Sequence, residues 1–127
     1  MSPTFFASEC LAWGFDFVYG SEFQKPAHPF AVGAPVNILC PEDKVHIAEM
    51  VCSQNGTQIG HSIAFGDSVS DAFLFDRVAY SVAVNGTAAL RARANLCYQG
   101  NDVLEAFTLM LDRVVPGKAD SKELEIV

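Results

Sequence analysis

The chain has 127 residues, half of them apolar, with 8 Lys+Arg against 15 Asp+Glu for a formal net charge of −7. That length suits one domain, in which folding removes roughly two-thirds of the unfolded chain's surface from water. The composition excludes a disordered polyelectrolyte, a collagen-like repeat and a low-complexity segment. An acidic balance with no basic cluster larger than Arg91-Ala92-Arg93 argues against nucleic acid as a partner. No apolar run approaches the roughly 20 residues that span a bilayer, so no membrane partner is expected. The first basic residue is Lys25, so the charged start of a secretory signal is missing. Cys10, Cys40, Cys52 and Cys97 lack CxxC or Cys/His ligand spacing and read as reduced, mostly buried thiols. The expectation is a soluble, cytoplasmic chain with a core over 1–116 and a charged, frayed tail over 117–127.

In chain order, Pro3 to Trp13 predicts a short helix, with Ser2 as its cap, Pro3 in its first turn and Gly14 as its stop. Phe15 to Tyr19 then reads as a buried strand, and Trp13, Phe5, Phe6, Phe15 and Phe17 as core. Residues 21–39 are irregular, broken by Pro26, Pro29, Gly33 and Pro35, with a short strand or hairpin arm between Pro35 and Cys40. Pro41-Glu42-Asp43 starts a helix, proline in its first turn and acids at the positive end of its dipole, running to Asn55-Gly56. Ser62 to Phe65 is a short apolar strand that ends at Gly66 and an acidic loop. A helical stretch follows near Asp71 to Phe75, then strands at Tyr80 to Val84 and Asn95 to Tyr98. Asp102 with Glu105 opens a last helix, with Val103, Leu104, Phe107, Leu111 and Val114 on one face. Strands alternating with helices predict an α/β domain with a mainly parallel sheet, whose chemistry gathers at the carboxyl ends of the strands.

The loop Gly66-Asp67-Ser68-Val69-Ser70-Asp71 lies at such an end. It sets two carboxylates four residues apart, one turn from each other if the loop runs into a helix. Hard oxygen donors in that position suit Mg²⁺, which takes few protein carboxylates and keeps waters or phosphate oxygens. A helix cap followed by an early-helix acid produces the same spacing. Other candidates are weaker. His28, His46 and His61 share no ligand spacing and read as surface residues. Ser21 and Ser81 have no Gly-x-Ser-x-Gly elbow and no local base.

The longer string Ile63 to Asp71, with Phe75 and then Ser81-Val82-Ala83-Val84-Asn85-Gly86, resembles the last motif of the haloacid dehalogenase superfamily. Residues 1 to about 115 are similar to its phosphoserine-phosphatase-like branch. The start looks like the segment after that branch's second motif, and Asn95 to Asp102 like its closing strand and the start of its last helix. The resemblance implies a Rossmann-like three-layer α/β/α fold with a mainly parallel sheet, a partial core of that family. It implies Asp67 and Asp71 as Mg²⁺ residues, Asp71 directly or through water. Lys44 matches the third-motif lysine that neutralises the nucleophile and the transferring phosphoryl group, although a solvated first-turn lysine would look the same. Ser70 stands where the family often has Asn and takes the phosphate-binding role with a hydroxyl in place of an amide.

The family's nucleophile is the first Asp of an Asp-x-Asp motif, and no Asp-x-Asp occurs in this chain. The resemblance therefore implies the C-terminal portion of a Mg²⁺-dependent phosphatase acting, in complete form, on a small phosphorylated metabolite. Alone, the chain is expected to be inactive. The alternative is a non-catalytic interaction or assembly domain that keeps the fold. In the family's sheet, strands carrying the first two motifs lie between the strand near Phe17 and the strands near Ile63 and Val82. Their absence predicts an open edge, met by a complementary N-terminal half, by a homo-oligomer exchanging elements, or by a shift of the Phe17 strand.

Overall fold

The structure, a computed structural model, describes residues 7–23, 35–114 and 125–126. The elements are α1 (Ala7–Ala12), β1 (Glu22–Phe23), β2 (Pro35–Asn37), α2 (Pro41–Gln54), β3 (Ser62–Gly66), α3 (Ala72–Phe75), β4 (Tyr80–Val84), α4 (Ala88–Arg91), β5 (Leu96–Tyr98), α5 (Val103–Val114) and β6 (Glu125–Ile126). Strands β5, β4 and β3 pair in parallel, and β6 lies parallel on the far edge of β3. β1 and β2 form a separate antiparallel pair, as the hairpin arm between Pro35 and Cys40 anticipates.

The period-2 alternation of a strand sorts the core into two layers. Ala64 of β3 and Ala83 of β4 face Val45 and Ala48 of α2 and Ala72, Leu74 and Phe75 of α3. Ile63 and Val82 face the other way, with Tyr98, onto Ala106 and Met110 of α5. Helices therefore cover both faces, giving the three-layer α/β/α arrangement. Small side chains on one face let α2 approach closely, which matters because α2 carries Lys44. Asn95 braces the sheet: its Oδ1 accepts from the backbone N–H (2.8 Å) and the hydroxyl (3.0 Å) of the buried Ser81.

Several expectations are corrected. Phe15 to Tyr19 is not a strand, and Trp13, Phe15 and Phe17 are exposed rather than core, Trp13 by 73 %. No strand pairs with that segment among the described residues, and an extended run without a ladder partner has nothing to bury its alternate side chains against. Phe5, Phe6, Ser2, Pro3 and His28 lie outside the described residues. Of the cysteines, Cys52 is buried, whereas Cys40 and Cys97 are exposed. On α5, Phe107, Leu111 and Val114 pack on the sheet as expected, but the buried side chains are Ala106 and Met110. Val103 and Leu104 are 63 % and 67 % exposed. At about 100° per residue, Leu104 lies at the margin of the packed stripe, and Val103 is in line with it but one turn short of the covered sheet. Glu125–Ile126 pairs with β3 instead of fraying, and the rest of 117–127 lies outside the described residues.

Helix α2 begins as expected, with Pro41 in its first turn and Cys40 as N-cap. Asp43 Oδ2 accepts from the Cys40 backbone N–H at 2.8 Å and from its Sγ at 3.0 Å. The thiol is raised from its ordinary value chiefly by that bond, while the thiol and N–H donors hold the Asp43 carboxyl below the usual 3.8. A carboxyl depressed by folding stabilises the chain above its unfolded value and loses that contribution as pH falls through the folded one. The stability difference between the chain and its Asp43→Asn variant should therefore shrink on acidification from roughly pH 6 to pH 3. Chemical denaturation at a series of pH values checks this, and a difference that does not change with pH contradicts it.

Candidate functional site

The loop after β3 is organised by one carboxylate. Asp71, buried at the end of a 3₁₀ turn (Val69–Asp71), turns back towards the strand. Its Oδ2 accepts from the backbone N–H of Asp67 (3.0 Å) and of Ser68 (3.2 Å). Its Oδ1 accepts from Lys44 Nζ at 2.5 Å. Lys44 comes from the first turn of α2, 27 residues earlier in the chain, and its side chain is only 14 % exposed. The same Nζ donates to Ser70 Oγ at 2.9 Å, and Ser70 Oγ lies 2.8 Å from Ser68 Oγ. The reading of Lys44 as a solvated surface lysine is thereby set aside, because its ammonium is held by two partners beneath the loop.

Gly66 is required by close approach. A Cβ at Gly66 would lie 2.6 Å from Asp71 Cγ, inside any real contact distance. The glycine thus serves the carboxylate's position, not an unusual backbone angle.

The four residues picked from the sequence, Lys44, Asp67, Ser70 and Asp71, line one cavity of about 670 Å³ together with Phe65, Gly66, Ser68, Val84, Asn85 and Val103. Asp67 is exposed, and its carboxylate has no hydrogen-bond or ion-pair partner among the described residues. Its backbone carbonyl accepts from Thr87 N–H at 3.3 Å, which ties the loop to the turn after β4. Of the other lining residues, Ser68, Asn85 and Val103 stand in the motifs and elements read from the sequence but had no site role there. Ser68 is legible in hindsight as the first hydroxyl of Gly-Asp-Ser-x-Ser-Asp. Val103 sits at the start of α5, beyond the packed sheet. Asn85 adopts φ +50°, and its side chain forms a reciprocal clasp with the next loop. Asn85 Nδ2 donates to Gly100 O at 2.9 Å, and Gly100 N–H donates to Asn85 Oδ1 at 3.0 Å. Close by, the Tyr98 hydroxyl donates to Glu105 and accepts from Asp102 N–H, and the bond to Glu105 raises the phenol from its ordinary value.

The donor set fits a hard cation on one side only. Asp67 presents a free carboxylate to the cavity, whereas both oxygens of Asp71 are committed to Lys44 and the loop amides. Among the described residues no three His, Cys, Asp or Glu side chains converge. One carboxylate with water and anionic ligand oxygens is a set that Mg²⁺ accepts and that most transition metals do not prefer. His46, on α2, and His61, just before β3, are surface residues and do not line the cavity, in keeping with their sequence reading.

Removing one partner of a buried ion pair leaves the other charge uncompensated, at a cost of about 3 kcal/mol or more. Lys44→Met should lower unfolding stability by about that amount, and pairing it with Asp71→Asn should recover part of the loss. Urea denaturation of the four members of the cycle measures the coupling. Additive effects would mean that the two side chains do not act as a pair.

Comparison with known proteins places this arrangement. No family model matches the chain, and no curated protein matches it by sequence. A solved structure described as a phospho-aspartyl intermediate analogue of phosphoserine phosphatase superposes with a TM-score of 0.66 at 18 % identity. The match covers 81 % of this chain and 49 % of that one, so the chain spans about half the length of the structure it resembles. The chain therefore shares the α/β fold of that structure over the matched part. No described helix is long and apolar enough to cross a membrane.

Proposed function

We propose that this chain is the metal- and lysine-bearing portion of a Mg²⁺-dependent phosphomonoester hydrolase of the haloacid dehalogenase type, acting in its complete form on a small phosphorylated metabolite. The observation that carries the reading is the Lys44–Asp71–Ser70 cluster beneath an open loop whose one free carboxylate, Asp67, faces a cavity. On this reading Asp67 would hold Mg²⁺, and Asp71 would act through water or by holding the loop. The metal would supply positive charge to a phosphoryl oxygen.

Each residue then has a definite task. Lys44 Nζ, already fixed at 2.5 Å from Asp71 and 2.9 Å from Ser70, presents cationic charge at the cavity wall, where a transferring phosphoryl group develops negative charge. Because Asp71 and Ser70 orient it beforehand, little reorganisation accompanies ligand binding. Ser68 and Ser70 share one hydrogen bond, so the pair offers one free hydroxyl hydrogen to a phosphate oxygen. Attack on phosphorus needs a nucleophile at bonding distance; in this reading it is a carboxylate, supplied by a complementary chain segment carrying Asp-x-Asp. The chain by itself should therefore bind metal weakly and turn over nothing.

A second reading, a non-catalytic assembly domain, draws on the exposed Trp13, Phe15 and Phe17. The two readings separate at Asp67, which assembly does not need.

Titration with Mg²⁺ to millimolar concentration should shift the backbone resonances of Asp67 and Ser68, and Asp67→Asn should abolish the response without loss of stability. Absence of any shift in the unaltered chain would remove the metal site. Hydrolysis of an aryl phosphate by the purified chain should stay at background with Mg²⁺ present. Turnover that disappears in Asp67→Asn would show that the chain carries its own nucleophile.

A further inference from the structure

The cavity that holds Lys44 and Asp67 crosses the carboxyl end of the sheet and has two unlike walls. Lys44 reaches it from α2 on one face of the sheet, with Ser70 and Ser68 beside the ammonium. The strand period puts Phe65 and Val84 on the other face, with Ile63 and Val82, where they pack against the α5 layer. Phe65 stacks on Phe107 with ring centroids 6.5 Å apart. Val103, the first residue of α5, completes that side and is 63 % exposed. One end of the cavity is therefore cationic and hydroxylic, and the other is apolar.

A single exposed valine is ordinary on a protein surface. Val103 differs because it lines a cavity beside two other apolar side chains, and because the loop before it is pinned. The Tyr98 hydroxyl donates to Glu105 and accepts from Asp102 N–H at 3.3 Å, and Asp102 Oδ1 accepts from Leu104 N–H at 2.9 Å. A Cβ at Gly100 would run into the Tyr98 hydroxyl, so the loop passes directly over the phenol. Asn85, the polar lining residue that follows Val84, has both ends of its amide engaged by Gly100.

We propose that Val103, with Phe65 and Val84, determines specificity: the site takes a phosphomonoester whose leaving group is apolar, in preference to one bearing charge or several hydroxyls. The inference rests on the proposed function for its phosphoryl end and adds the chemistry of the remainder. A phosphoryl group drawn to Lys44 and the Ser68–Ser70 pair leaves the rest of the same molecule to lie against the opposite wall. With Asp67 given to the metal, an ammonium or a sugar ring placed on Phe65, Val84 and Val103 gives up water and meets hydrocarbon. An apolar group there leaves water for a wall already in position, so little ordering accompanies binding. The cavity, at about 670 Å³, has the size of a small-molecule site, with room beyond a bare phosphate.

The test titrates the full chain, in millimolar Mg²⁺, with phenylphosphonate and with 2-aminoethylphosphonate, which share the anionic group and resist hydrolysis. The Ser70 amide and the Val84 and Val103 methyl resonances report binding. Phenylphosphonate should bind about tenfold more tightly. Val103→Ser should bring the two affinities within about twofold, whereas Val103→Leu should keep the difference. Val103 is largely exposed, so neither substitution should move the thermal unfolding midpoint. Equal affinities in the unaltered chain, or a preference that survives Val103→Ser, would overturn the inference. Benzyl alcohol, a ring without a phosphoryl group, reads the apolar wall alone. Methyl shifts with benzyl alcohol and no response to either phosphonate sink the functional reading and leave the apolar wall standing. Phosphonates that bind equally while benzyl alcohol stays silent sink this inference alone, and silence with all three sinks both.

Discussion

One carboxylate holds the site together. Asp71 turns two backbone N–H groups of its own loop inward and neutralises the ammonium of Lys44 from another helix, so loop shape and charge placement are a single event. The pair is largely removed from water, where an unmatched charge is costly and a matched one is held in a narrow geometry. Much else follows from accommodating it. Gly66 leaves room for the carboxylate, Ala64 and Ala83 let α2 come near enough for Lys44 to reach, and Ser70 takes a second hydrogen of the ammonium.

That arrangement also divides labour between two acids that look alike in the sequence. Four residues apart, Asp67 and Asp71 present the same chemistry on paper. Folding spends Asp71 on internal contacts and leaves Asp67 open to the cavity. An acid with both oxygens engaged sets geometry, and an acid with neither engaged among the described residues is available to a ligand. The difference arises because Asp71 enters a 3₁₀ turn and is carried beneath the loop, while Asp67 stays at the tip.

Elements whose signals are local were legible in the sequence. Pro41 and the acids after it mark α2, and the apolar runs at Ser62–Phe65 and Tyr80–Val84 mark β3 and β4 within a residue of their observed ends. The four candidate site residues share one cavity because their motif is short and rides on those elements. The failures all involve partners remote in the chain. Phe15 to Tyr19 has the composition of a strand, but a strand exists only where another lies beside it. The burial of Ala106 and Met110 ahead of Val103 and Leu104 depends on where the sheet stops beneath α5, which no helical periodicity records. The pairing of Glu125–Ile126 likewise depends on β3, some sixty residues earlier in the chain, and not on the tail's own composition.

The clasp between Asn85 and Gly100 carries a consequence for which residues position 85 can hold. The backbone there stands at φ +50°, which β-branched and bulky residues resist. The side chain must also donate to one backbone group and accept from another in the same loop. Glycine satisfies the angle and offers no side chain, aspartate satisfies the angle but as a carboxylate cannot donate, and glutamine carries both groups one methylene too far out. Each condition alone admits several amino acids, and asparagine meets both with a short side chain. Position 85 is in effect an address suited to asparagine, written by the curvature of the chain and the polarity of its neighbour together.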